Sequence, residues 1–214
     1  MDAVMISIRP EWCAKIANGK KTIELRKSKP KLELPFKCYI YCTLPPSSEL
    51  FTHGSIREYA NELIRLQSGE IVYSYGMQLC CDPEGRPYTK DNFLCQKIIG
   101  EFICDAMLSH CEMANADLAE QMGCISREKI REYAGDKEVF GWHISELKIY
   151  DNPKELSEFF VKCDENCAYC DWWKFLVVNA VEVDMDCSSS IYGYKPLKRP
   201  PQSWCYVKEI DNGK

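Results

Sequence analysis

The sequence predicts an α+β fold: a small, mainly antiparallel β-barrel with flanking and inserted helices. Three observations carry this. Six or seven strand-like runs of uneven length are spread along the chain. Helix signals fall between them without the strict strand–helix alternation that a doubly wound parallel sheet requires. No internal repeat or low-complexity tract interrupts the pattern, so one domain spanning 1–214 is expected, with insertions at 50–95 and 163–195.

The elements follow in order. "MISI" at 5–8 reads as a strand, and Pro10 suits the first turn of a helix, where its missing N–H costs nothing. That helix places Trp12, Cys13, Ile16 and Ala17 on one side and stops at Gly19. A strand at 21–26, a Pro- and Lys-rich loop and a strand at 38–43 come next. Ser55 with Glu58 three residues on forms a capping box, predicting a helix over 55–68 whose apolar face includes Tyr59, Leu63 and Ile64. Residues 97–108 form a long strand that is apolar on both faces. Short helices at 116–122 and 127–134 end at Gly123 and Gly135. The run 139–150 is a strand whose apolar phase slips near Ser145, the mark of a bulge. Asn152-Pro153 with Glu155 predicts another capped helix, and "SWCYVKEI" supplies the last strand.

Composition bounds the function. With 46% hydrophobic and 28% charged residues, the chain has a globular balance. No apolar run approaches the ~20 residues that span a bilayer, and the N-terminus lacks a secretory pattern. A cytoplasmic location without membrane contact is the resulting expectation. There the fourteen cysteines are thiols, core residues or metal ligands rather than disulfides. Cys38, Cys42 and Cys104 sit in apolar runs as small hydrophobes. The net charge of −5 argues against a general nucleic-acid coat. Yet 20–37 holds Lys20, Lys21, Arg26, Lys27, Lys29, Lys31 and Lys37 against Glu24 and Glu33, and Lys195, Lys198 and Arg199 form a second cluster. A local basic patch of this kind suits a small or local anionic ligand, unless it is only a solvated face.

The stretch "GKKTIELRK" poses the sharpest question. Period two separates Ile23 and Leu25 from Thr22, Glu24 and Arg26. The polar set is either the wet face of a strand or the wall of a binding cleft. In a cleft, Arg26 offers a bidentate donor. Glu24 accepts from an amine or activates water, and Lys21 supplies charge or, once desolvated, a base. Trp12, Trp142 and Trp204 could stack a base or belong to the core. His143 is either a structural imidazole or a cleft residue. Separately, Cys163-x3-Cys167-x2-Cys170 with Cys187 is a possible structural zinc set, although the second knuckle of such sites is missing; otherwise it is a reduced cysteine-rich loop.

"SIRPEW", "GKKTIELRK", "GEFICD", "WHISELKIYD" and "RPPQSWCYV" together resemble the ASCH domain of the PUA-like superfamily, in its prophage and gut-bacterial form. The motif G-x-K-T-x-E-x-R is carried by Gly19, Lys21, Thr22, Glu24 and Arg26. The resemblance implies a barrel with a cleft that takes RNA or a modified nucleoside. One branch of the family deacylates N4-acetylcytidine with a lysine, a threonine and a glutamate. Lys21 falls on that lysine, Glu24 stands where the branch has its threonine, and Glu120 is the nearest candidate for the glutamate. Three functions follow as expectations: binding of RNA or a modified nucleoside; an amidohydrolase of N-acylated nucleosides centred on Lys21 and Glu24; and a protein adaptor docking through the helix at 55–68.

Overall fold

The structure is a computed structural model of the chain; it describes residues 2–43, 62–65, 67–69, 71–74, 96–109, 116–163, 170 and 193–210. Twelve strands and three α-helices occur among them. The strands are β1 (Asp2–Ile8), β2 (Ile23–Arg26), β3 (Phe36–Cys42), β4 (Glu62–Arg65), β5 (Ile71–Ser74), β6 (Ile98–Cys104), β7 (Met107–Leu108), β8 (Phe140–His143), β9 (Ser145–Lys154), β10 (Phe160–Lys162), β11 (Tyr194–Pro196) and β12 (Trp204–Lys208). The helices are α1 (Pro10–Ala17), α2 (Ala116–Gly123) and α3 (Arg127–Ala134). The fold is α+β and dominated by strands, as expected.

Five strands form the main sheet in the order β12-β1-β3-β6-β9, and three form a second, β2-β8-β7. Only β1–β3 is parallel among these ladders. Both long strands read from the sequence are divided between the two sheets. The run 97–108 breaks after Cys104 into β6 and β7. The run 139–150 breaks at Ile144 into β8 and β9, where Glu146 has φ 47°. The bulge expected near Ser145 is present, since the β6–β9 register shifts between Ser145 and Lys148, and it lies just after the change of sheet. Among the described residues the ladders do not close into a ring.

Alternation explains the layers. Val4, Ile6 and Ile8 of β1 and Cys38, Ile40 and Cys42 of β3 point into a first core with α1 and Trp142. Their neighbours Ala3, Met5, Tyr39 and Tyr41 point into a second core with Tyr150, Phe159 and Val207. The main sheet is thus buried on both faces. A third core sets Ile23 and Leu25 of β2 against Ile130 and Ala134 of α3. The core thiols behave as hydrophobes. Cys13, Cys38, Cys42 and Cys104 are buried, and desolvation pushes Cys104 up to about 12.

Two helix expectations are corrected. Residues 62–65 pair with β5 as strand β4. They belong to no helix over 55–68, whose remaining residues up to 61 lie outside the described set. A short apolar run has no periodicity long enough to separate the two states. Asn152-Pro153 does not start a helix either; β9 continues through Lys154. Because β9 is an edge strand, the missing N–H of Pro153 is tolerated there. The capping signal is realised one step later, where Glu155 and Glu158 cap a 3-10 turn over Leu156–Glu158.

Candidate functional site

The site grows from the turn after α1. Gly19, at φ 79°, adopts the left-handed conformation that ends the helix. The Lys21 N–H then donates to Lys15 O at 2.8 Å. Thr22 is gripped by its backbone: its N–H donates to Met122 O (2.9 Å) and its carbonyl accepts from Ile144 N (2.8 Å). Strand β2 is thereby fixed between α2 and β8. Pairing sets Glu24 opposite Trp142 and Arg26 opposite Phe140, so Glu24 and Arg26 share the face that looks into the first core.

This face is not wet. Lys21 is 4% exposed and Glu24 5%, and the Arg26 side chain only 12%. Lys21 precedes the strand and so escapes its alternation; its ammonium reaches the Glu24 side. Lys21 Nζ donates to Gly123 O at 2.8 Å, the last residue of α2, and lies 3.5 Å from Glu24 Oε2. It also sits 5.1 Å from the centroid of the Trp12 ring. Arg26 Nη2 donates to Ser7 O at 2.6 Å and lies 3.2 Å from Glu24 Oε1. Burial pushes the Lys21 ammonium below its ordinary 10.5, and the Glu24 carboxylate opposes that shift.

Three buried polar atoms in this cluster have no hydrogen-bond partner: Glu24 Oε2, Arg26 Nε and the Trp142 indole Nε1. Buried polar groups are paired in the great majority of cases, and each exception calls for a reason. The other buried carboxylate among the described residues shows the usual outcome. Glu101 Oε2 accepts the Tyr150 hydroxyl at 2.6 Å, and Lys37 and Lys148 each approach Oε1 to 3.8 Å.

The remaining candidates divide. Trp142 is fully buried, and Trp204 packs on it with ring centroids 5.9 Å apart. His143 pairs in register with Ile23, on the face opposite Glu24. Its Nδ1 lies 2.6 Å from Asp105 Oδ1, and this contact holds the Asp105 carboxyl below the usual carboxylate range. Glu120 is exposed. Cys163 and Cys170 are described, whereas Cys167 and Cys187 lie outside the described residues; among those described no group of three metal-ligating side chains gathers. A separate depression of about 270 Å³ is lined by Gln67, Tyr150, Asp151, Asn152 and Lys154 and shares no residue with the cluster.

Sequence reasoning missed Gly123, Ser7 and Asp105. Each meets its partner through tertiary structure; Gly123, for instance, stands 102 positions from Lys21, beyond any local pattern.

No family model matches the sequence, and no curated protein matches it. Solved structures of an ASCH protein are among those it is similar to. ASCH from Zymomonas mobilis superimposes with a TM-score of 0.47 at 15% identity, covering 97% of this chain and 88% of that one. A single-substitution variant of the same protein gives 0.47 at 14%, covering 97% and 91%. The likeness is one of overall shape and carries no residue correspondence.

No described helix is long and apolar enough to cross a membrane.

Proposed function

We propose that the chain is an ASCH-type, PUA-like domain that binds a nucleobase-containing ligand, RNA or a modified nucleoside, beside β2. One observation carries the reading. A buried Lys21–Glu24–Arg26 cluster leaves a guanidinium N–H and an indole N–H without hydrogen-bond partners, beside a carboxylate oxygen met by the Lys21 ammonium at the long distance of 3.5 Å. A purely structural ion cluster gains from satisfying its atoms, since a half-satisfied one is worse than an apolar core. An acceptor beside two donors is the equipment for reading a heterocycle's polar edge.

A second reading has its own support. The lowered Lys21 pKa favours a lysine able to take a proton, as an amidohydrolase of N4-acetylcytidine-type nucleosides would need. The adaptor reading rested on a helix over 55–68, of which 62–65 is a strand and 55–61 lies outside the described residues.

The test is Glu24→Gln against wild type, with a short single-stranded RNA, nucleoside 5′-monophosphates and N4-acetylcytidine as ligands. Binding should weaken by about 1.5–3 kcal/mol, the value of a charge-assisted hydrogen bond. If wild type also releases acetate, the variant should lose ~10²-fold or more in rate. Failure of wild type to bind any of these compounds would remove the reading.

A further inference from the structure

A row of aromatic rings leads from the buried site to the surface. Phe36 and Trp142 meet edge to face at 5.8 Å, Trp142 and Trp204 are tilted at 5.9 Å, and Trp204 and Tyr206 meet edge to face at 5.4 Å. The row meets the site at Trp142, opposite Glu24 in the ladder. It ends at Tyr206, which is 39% exposed on the edge strand β12.

The basic loop after β2 hangs on this row. Trp204 Nε1 donates to Ser28 Oγ at 3.0 Å, and the Lys31 N–H donates to the Tyr206 hydroxyl at 2.7 Å. Lys27, Lys29 and Lys31 are exposed. Two of them lie over rings, Lys27 Nζ at 4.8 Å from Tyr133 and Lys29 Nζ at 5.4 Å from Phe140. Glu33 is the only acid in 27–34, in a protein of net charge −5. The acidic body therefore turns a positive, ring-edged margin outward just where the aromatic row surfaces.

Resting on the nucleobase reading above, we propose that the ligand is a nucleotide within a single strand of nucleic acid rather than a free nucleoside. The neighbouring nucleotide stacks on Tyr206, and the phosphates run along Lys27, Lys29 and Lys31. Stacking faces alternating with regularly spaced anions are the chemistry of a single strand. An acidic peptide offers the charge without the planar rings.

The test compares a mixed-sequence RNA of about eight nucleotides, the same sequence as DNA, and the four nucleoside 5′-monophosphates. The RNA should bind at least tenfold more tightly than the best monophosphate. Tyr206→Ala should weaken the RNA about tenfold, as loss of one stacked base does, and leave the monophosphate unchanged. Tyr206→Phe keeps the ring and should keep the affinity. The double variant Lys29→Ala/Lys31→Ala should reduce the slope of log affinity against log salt by about 1.4, at ~0.7 per phosphate contact. Equal binding of RNA and DNA supports a track that reads stacking and charge; stronger RNA binding adds recognition of the 2′-hydroxyl. If monophosphates bind and the RNA binds no tighter, the track is overturned while the nucleobase site stands. If Tyr206→Phe loses as much as Tyr206→Ala, the residue only holds the loop, and stacking is overturned. If nothing binds, both readings fall. Melting curves on each variant establish that it is folded.

Discussion

Arg26 and Lys27 are neighbours in sequence and opposites in setting. Arg26 is tied to Ser7 O and Glu24 inside the molecule, whereas Lys27 is exposed over the Tyr133 ring. Its burial makes Arg26 a determinant of stability as well as a candidate donor. Arg26→Ala leaves the Ser7 carbonyl and Glu24 short of a partner, and breaking such a buried pair costs about 3–5 kcal/mol. Lys27→Ala should cost no more than ~1 kcal/mol, the value of an exposed cation–π contact. Thermal melts of the two variants check this, and equal shifts would contradict it. Lys21 adds a pH dependence. Burial holds its folded pKa below 10.5, so the unfolded chain binds its proton more tightly. Below the lowered value the folded state bears the full cost of the buried charge. As pH climbs from there towards 10.5 the cost is relieved and stability rises. The difference in stability between wild type and Lys21→Gln, followed by denaturant melts at a series of pH values, should show that rise; a flat difference would mean that Lys21 titrates normally.

Among the elements, β6 and β9 are held at a distance only glycine allows. A Cβ on Gly100 would stand 2.3 Å from Lys148 O, a backbone atom of β9. Gly100→Ala must therefore push the two strands apart where they pair at Ile149. The expected loss is about 1–3 kcal/mol, in the range of core overpacking; an unchanged chemical-denaturation midpoint would show that β9 yields freely. The sequence announces this glycine only as one more member of an apolar run. Elements with strong punctuation were legible, notably α1 between Pro10 and Gly19, and α3 with its end at Gly135. The strand β2 and its separation of Ile23 and Leu25 from Glu24 and Arg26 were legible as well. What alternation cannot say is whether a polar face meets water or a second sheet. That depends on β1 and α2, which reach β2 from distant parts of the chain. The split of 97–108 between sheets was unreadable for the same reason, whereas the phase slip near Ser145 marked where 139–150 divides.

At the scale of the whole molecule, the two described ends of the chain are sewn together, and the site depends on the seam. β1 pairs with β12 from Asp2↔Lys208 to Ile6↔Trp204. Ser7 continues the seam, its N–H donating to Ser203 O at 2.9 Å and its hydroxyl to Pro201 O at 2.6 Å. Val207 enters the second core, Trp204 packs on the first, and Ile210 N donates to the Tyr39 hydroxyl at 3.0 Å. The same Ser7 presents its carbonyl to Arg26, so β12 supports the cluster through Ser7 as well as through the Trp204–Trp142 contact. Deleting residues 204–214 should expose the outer hydrogen-bonding groups of β1, remove apolar cover from both faces of the main sheet and free Ser7 to move. Such a chain should lose its cooperative melting transition and expose apolar surface to a hydrophobic dye. The milder Val207→Ala removes only two methyl groups from the second core. It should remain folded and lose about 1–2.5 kcal/mol, at ~0.8 kcal/mol per buried methylene plus a cavity contribution. Its Arg26–Ser7 contact should survive, so ligand affinity should match wild type while stability falls. A deletion that still melts cooperatively near the wild-type temperature would show that the seam is not what holds the molecule together.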